Sequence, residues 1–337
     1  MALPRLEVTG NVLIQRTKRK PRFQIRGVNK QGTDYACIQG WGIWDGPNGQ
    51  AHIDAMKSWR VNTVRVLLNE HCWLGCTDVK PEYSGETYRS QIIDYVNRLN
   101  SNGLYAIVDL HNAAPNTPVN GSPMPNQDNS LNFWRSVATT FGGYPGVIFD
   151  LYNEPYPDLW RDTHIAWECW QHGGDACDPT TVPYEAVGMQ SLVDVVRSTG
   201  APNVLILSGV TWANGFSEFL THIPYDPMNN LMAGWHIYPD VDPLPCNNPT
   251  CWQSRVGAVM KEMPVVATEI AACGPNNTGQ NFKNILTWLD QNGGHYTAFT
   301  WNTMGDQCPQ NWPLIIDNDG TPSVAQGSTY RSHLLSK

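Results

Sequence analysis

Eight short apolar runs, each followed by a helical or long crossover segment, leave this chain few folds to adopt. They span residues 26–29, 63–67, 105–109, 147–151, 204–208, 232–236, 265–268 and 296–300. Between them lie segments with apolar residues at helical spacing. In 88–101, for example, Ile92, Ile93, Val96 and Leu99 share a face and Asn102-Gly103 ends the helix. Further helices are expected at 52–59, 131–141, 184–198, 252–262 and 282–291, with an amphipathic segment at 323–335 closing the chain. Alternating strands and helices imply parallel neighbours, since a parallel pair needs a crossover. Eight such units imply the α/β class and a closed (β/α)8 TIM barrel, which a chain of 337 residues fills as a single domain, 1–337. A doubly wound open sheet would need a glycine-rich phosphate turn after the first strand, and none stands there. The alternation in 6–13 and 23–25 predicts a short N-terminal β-hairpin leading into the barrel.

Composition narrows the function. The net charge of −8 argues against a nucleic-acid partner, which requires a basic face. The one basic cluster, Arg16, Lys18, Arg19, Lys20 and Arg22, reads as a solvated hairpin turn. No run approaches the roughly 18 apolar residues of a membrane span, so no membrane partner is expected. No signal peptide is visible at Met1-Ala2-Leu3, and the expectation is a mature domain behind an added Met. Fourteen Trp and thirteen Tyr are many for this length, and rings of this kind either fill cores or stack on sugar faces.

Nine cysteines are more than a reducing cytosol usually tolerates. Close spacing pairs Cys72 with Cys76, Cys169 with Cys177 and Cys246 with Cys251. Cys273 and Cys308 follow the last two strands, which adjoin in a closed barrel, and Cys37 is left over. Loop-stapling disulfides in a secreted protein are expected. Zinc is the rival reading for the first and third pairs, but no pair has the two-residue spacing of most structural sites.

In a barrel the chemistry collects at the C-terminal ends of the strands. Seven of the eight strand ends carry polar or aromatic groups: Asn29, Arg65, His111, Asn153-Glu154, His236, Glu269 and Trp301. Glu154 and Glu269 end the fourth and seventh strands and so face each other across the mouth. Two carboxyl groups about 5–5.5 Å apart are the equipment of a retaining glycosidase. Arg65 could instead be a structural ion pair, and His111 and His236 satisfied core histidines or metal ligands. Metal catalysis would need several His and Asp ligands, to which Asp109 with His111 is the nearest approach. Neither metal nor cofactor is expected.

These motifs resemble glycoside hydrolase family 5, the large cellulase and mannanase family of (β/α)8 retaining glycosidases. The resemblance rests on Tyr152-Asn153-Glu154-Pro155, Ala267-Thr268-Glu269, Trp235-His236-Ile237-Tyr238, Val64-Arg65-Val66 and Phe299-Thr300-Trp301, in this order. It implies that Glu154 is the acid/base and Glu269 the nucleophile. It further implies that Asn153 bonds the sugar hydroxyl beside the reacting carbon, that Arg65 and Tyr238 support the nucleophile, and that His111 and His236 line the rim. Trp301 would be the platform under the sugar, often followed in the family by a non-proline cis peptide. Trp41, Trp44, Trp73 and Trp212, in loops after the first, second and fifth strands, are stacking candidates for neighbouring sugars, with burial inside the loops the competing reading. After His111 the text Asn112-Ala113-Ala114-Pro115-Asn116 departs from the aromatic and Pro-Gly that many relatives carry, which bears on substrate preference. The expectation is a secreted, monomeric, metal-independent retaining endo-β-1,4-glucanase acting on a β-linked polysaccharide or oligosaccharide. The alternatives are an endo-β-mannanase, an exo-acting β-glycosidase and, from another class, a non-catalytic carbohydrate-binding barrel.

Overall fold

The computed structural model describes residues 3–113, 122–241, 244–272, 279–303 and 313–337. Two strands, β1 (Leu6–Thr9) and β2 (Val12–Gln15), form an antiparallel hairpin. Eight more close a parallel barrel: β3 (Arg26–Lys30), β4 (Thr63–Asn69), β5 (Tyr105–Asn112), β6 (Val147–Asp150), β7 (Leu205–Ser208), β8 (Leu231–Ile237), β9 (Val265–Ile270) and β10 (His295–Ala298), with β10 beside β3. This is the (β/α)8 TIM barrel that the strand–helix alternation implies. The expected pairing of the first run with residues near 23 is present, with Phe23 N–H donating to the Leu13 carbonyl at 2.8 Å, but the first run also folds back on itself. It turns at Gly10-Asn11, where Gly10 takes the positive φ of 58° that a tight turn needs, so residues 6–13 are not one strand. The basic cluster is a second turn, as expected: the chain leaves β2 and returns through Arg22, which bridges Ile14, with Gln15 N–H donating to the Pro21 carbonyl at 2.9 Å.

Side-chain parity divides the barrel into layers. On β5, Ala106, Val108 and Leu110 join the apolar shell between sheet and helices, while Tyr105 and Ile107 join a second cluster with Ile148, Ile206, Met232 and Val266. A cluster fed by five neighbouring strands is the barrel interior. Leu6 and Leu13 of the hairpin belong to it, so the hairpin plugs the N-terminal mouth. Each such burial contributes about 1.5–3 kcal/mol. Two residues further along the same inward parity the lining turns polar, with Asp109 after Ile107 and Asp150 after Ile148. The interior is thus apolar below and charged above.

Helix Ser130–Phe141 shows how the outer layer forms: Phe133, Trp134, Val137, Ala138 and Phe141 recur at helical spacing and are all buried against the sheet. The helix expected from residue 184 begins at Met189, because 184–188 run as an irregular segment whose Ala186 bridges Asn126.

Disulfides join Cys169–Cys177, Cys246–Cys251 and Cys37–Cys72. The last corrects the pairing expected from spacing. Cys72 lies on the buried side of a helical turn, Glu70–Leu74, against Cys37 of the loop after β3, and left-handed Gly75 turns the chain so that Cys76 lies apart. Cys76 bonds no cysteine among the described residues. Cys273 and Cys308, and the loop residues 114–116, lie outside them.

Candidate active site

Arg65 is the hub of the charged layer. Its β4 neighbours Val64 and Val66 face the helices, which turns Arg65 inward, where it is completely buried. Its Nε donates to Asp150 Oδ2 at 2.9 Å, Nη1 to Asn29 Oδ1 at 3.0 Å and Glu269 Oε1 at 2.8 Å, and Nη2 to Asn153 Oδ1 at 2.7 Å. Nη2 also lies 3.0 Å from Asp109 Oδ2. Asn29 is itself fixed by donating its amide to the Thr268 carbonyl at 2.9 Å and the Ala298 carbonyl at 3.2 Å. Burial alone would lower the guanidinium pKa, but Asp109, Asp150 and Glu269 together push it above its ordinary value. Asp150 is raised well above the usual carboxyl range, chiefly by burial.

Glu269 reaches the mouth through a backbone irregularity. Val265, Ala267 and Ile270 all face the outer shell, so one residue is extra between Ala267 and Ile270. The pairing records it: Trp235 opposes Ala267, while the next residue, His236, opposes Glu269. A bulge of this kind re-aims a side chain. The Glu269 carboxylate accepts from Arg65 and from the Tyr238 hydroxyl.

Glu154 follows β6 and meets a different environment. Its Oε1 lies 2.8 Å from His236 Nδ1, which is 3.7 Å from Glu269 Oε2. One carboxylate oxygen from each glutamate and a His236 nitrogen lie within 4.8 Å of one another. That closeness fits the separation of about 5–5.5 Å in a retaining pair better than the roughly 6.5–9.5 Å that leaves room for an inverting water. The Glu154 pKa is pushed up to about 7 by burial, with His111 and Arg65 opposing and Asp109 adding. Burial pulls His236 down to about 4, so it is neutral. His111 is partly exposed at the rim, its Nδ1 lies 2.8 Å from Asp109 and its pKa rises to about 9, so it is a cation. The arrangement can hold one glutamate charged and the other protonated at the same pH.

The structure thus brings together Glu154, Glu269, Arg65, His111, Asn153, His236 and Tyr238. The tryptophans divide. Trp41 is exposed beside Tyr35, and Trp212 is half-buried. Trp44 is built into its loop by donating to Gln91 at 2.7 Å and standing edge-on to Tyr95. Trp73 is no platform: it is fully buried against Phe133 and Phe141. Trp301 is likewise fully buried, edge-on to Trp59 with centroids 4.7 Å apart, because Gly320 and helix 50–58 cover it. The cis peptide joins Phe299 to Thr300, two residues earlier than the resemblance implies.

Three aromatic residues that sequence reasoning missed take the open positions. Phe299 is half-buried and 6.4 Å from Tyr238. Tyr156 stacks on Trp212 at 4.4 Å and 7°, and exposed Trp160 covers the same indole at 4.0 Å. Asp109, Asp150 and Asn29 were missed as Arg65 partners, although an acid or amide inside an apolar strand was the available signal. Trp301→Ala should lower unfolding free energy by about 3–5 kcal/mol, as for other buried aromatics, read from a urea midpoint. Phe299→Ala should cost less stability but roughly tenfold in kcat/KM, the equivalent of one aromatic contact. The reverse pattern would restore Trp301 as the platform.

Comparison with known proteins agrees with this geometry. Endoglucanase 1 of Robillarda sp. is 24% identical over 330 residues, covering 88% of this chain and 77% of its own length. Endoglucanase CelA of Streptomyces lividans is 22% identical over 92% of this chain, which spans only 57% of that relative. Among solved structures, the hyperthermophilic endocellulase of the archaeon Pyrococcus horikoshii superposes with a TM-score of 0.73 at 18% identity, covering 98% of both chains. A family model described as cellulase (glycosyl hydrolase family 5) matches residues 17–305, and the chain belongs to that family.

Proposed function

We propose that this chain is a retaining endo-β-1,4-glucanase, with Glu269 as nucleophile and Glu154 as acid/base. The observation that carries the reading is the contrast between two close carboxyl groups, one held by a guanidinium and a phenol, the other raised to about 7. Relatives named endoglucanases support the substrate class. Glu269 attacks the anomeric carbon while Glu154 gives its proton to the leaving oxygen. Glu154, now ionised, then takes a proton from the water that releases the glycosyl-enzyme. Arg65 and Tyr238 orient Glu269 and keep its charge localised. Asn153 has its carbonyl oxygen occupied by Arg65, which leaves its NH2 to donate to the sugar hydroxyl next to the reacting carbon. Phe299 lies under that sugar. The ledge Tyr156–Trp212–Trp160, beginning two residues after Glu154, receives sugars on the leaving-group side, and Trp41 a more distant one. No metal or cofactor enters these steps. The chain acts as a single catalytic domain, monomeric and secreted, which three disulfides support.

The test is reducing-sugar release from carboxymethylcellulose, mixed-linkage β-glucan, glucomannan, galactomannan and xylan, with products sized by chromatography. Oligosaccharides from the glucans support the reading. Galactomannan as the preferred substrate, or monosaccharide alone, overturns it in favour of a mannanase or an exo-enzyme. The pH profile is a second check. Glu154 works only while protonated, so kcat/KM should be full below about pH 7 and fall tenfold per unit above it. A basic limb set only by unfolding, and retained in Glu154→Gln, would contradict the assignment.

A further inference from the structure

The connections after β6 and after β7 together carry a second cluster of titratable groups that the hydrolytic reading does not use. Helix His164–His172 presents His164, Glu168 and His172 at successive four-residue steps, hence on one face. Against that face lies a 3-10 turn, Phe219–Thr221, flanked by Glu218 and His222. His164 Nδ1 is 2.7 Å from Glu218 Oε2, and His222 Nε2 is 3.2 Å from Glu168 Oε1. His164 Nε2 is 3.8 Å from the same Glu168 oxygen, and His222 Nδ1 is 3.7 Å from Glu218 Oε2. His172 approaches the other Glu168 oxygen at 4.0 Å. Ligand atoms of His164, Glu218 and His222 fall within 4.8 Å of one another.

The orientation of His222 matters most. Its ring is buried, and its Nδ1 lies 3.0 Å from the Glu218 backbone carbonyl, an acceptor that places the ring proton on Nδ1. Nε2 then faces Glu168 with a lone pair. Two acceptors 3.2 Å apart repel unless a proton or a cation lies between them. A ligating histidine commonly has this arrangement, with one nitrogen donating to a backbone carbonyl and the other left for the metal. Zinc bonds of about 2.0–2.2 Å in a tetrahedron place ligand atoms roughly 3.3–3.6 Å apart, so the separations here, 2.7–4.0 Å, admit the ion after small side-chain rotations.

We infer that His164, Glu218 and His222 form a binding site for a divalent transition-metal ion of the zinc or copper class, with Glu168 and His172 beside it. Imidazole and carboxylate donors without sulfur suit these ions better than magnesium or calcium, which take oxygen ligands. A bound ion would tie helix His164–His172 to the 218–222 turn. Those segments flank Trp160 and Trp212, so the ion would stabilise the loops carrying the aromatic ledge without touching Glu154 or Glu269.

The site is tested with zinc chloride on the intact chain. Calorimetry should show one ion bound, and zinc at a hundredfold excess over its Kd should raise Tm by roughly 4 °C. His164 and Glu168 are well exposed, so His164→Ala/Glu168→Gln should fold normally, keep the hydrolytic rate, and bind zinc at least tenfold more weakly. X-ray absorption should show nitrogen and oxygen neighbours only. Unchanged affinity in the double variant overturns the site. So does a sulfur neighbour at about 2.3 Å, which would place the ion at His71, Cys76 and Asp78 instead. Zinc binding abolished by a cello-oligosaccharide would place it at Glu154, His236 and Glu269, and also overturns the inference.

Discussion

Glu269→Ala is expected to lower kcat/KM on a soluble β-glucan by on the order of 10⁴-fold or more, since four decades correspond to about 5.4 kcal/mol of transition-state stabilisation. The carboxylate makes the bond to the anomeric carbon, and no described neighbour can replace it. Arg65 and Tyr238 are donors, His236 is occupied by Glu154, and Asp150 is held by the far side of the guanidinium. Glu154→Ala should cost about 10²–10⁴-fold on the polymer, the usual worth of acid–base catalysis. It should cost much less in the first step with an aryl glycoside whose leaving group needs no proton. Azide separates the two roles. In Glu269→Ala it fills the space of the lost carboxylate and attacks directly, giving a glycosyl azide of inverted configuration. In Glu154→Ala it intercepts the glycosyl-enzyme and gives the retained product. Exchanged stereochemistry would reverse the assignment, and near-native turnover in either variant would remove it.

The barrel was readable because its period was. Outward Val64 and Val66 around inward Arg65, and outward Ala106, Val108 and Leu110 around Asp109, are written directly in the residue order. The same parity explains why Arg65 stood out: a cation inside an apolar strand must face something that compensates it. Glu269 was legible by its motif but not by its geometry, because strict alternation from inward Val266 points Glu269 outward and only the bulge opposite His236 returns it. The tryptophans were illegible for a different reason. Trp73 and Trp301 have the same residue type and loop positions as exposed Trp41, and what separates them is coverage by distant segments: Phe133 and Phe141 over one, Trp59 and Gly320 over the other. Cys37 shows the same limit, since a bond across a sequence separation of 35 leaves no local spacing to read. The His164–His222 cluster was split between two loops, and the four-residue steps within each half do not show that the halves meet.

Arg65→Ala should lose both the fold's margin and the catalyst. Its guanidinium meets Asp150, Asn29, Glu269, Asn153 and Asp109 at 2.7–3.0 Å, all but one of its partners at most 4% exposed and Asn153 at 6%. Removing one partner of a buried ion pair costs about 3–5 kcal/mol, because the remaining charge cannot be rehydrated. Here several carboxyl groups would be left facing one another. Against a total stability of about 5–15 kcal/mol, that loss leaves the variant marginal, which a shift in urea midpoint would show. Arg65→Lys keeps the charge, but its ammonium has three donors on one point where the native fork reaches five acceptors. It should recover much of the stability and little of the rate, since Glu269 and Asn153 sit on different nitrogens of the fork. Asp150→Asn is the control. Burial raises Asp150 above the ordinary carboxyl range, and an amide oxygen can still accept from Arg65 Nε, so this variant should cost less than Arg65→Ala. The sign with pH follows from the same charges. The destabilisation in Arg65→Ala arises from ionised carboxyl groups, so it should be greatest at neutral pH and shrink as pH falls through the carboxylate range. A penalty independent of pH would mean that Arg65 acts by filling space, and that the charged layer above Ile107 and Ile148 is not what holds the nucleophile in place.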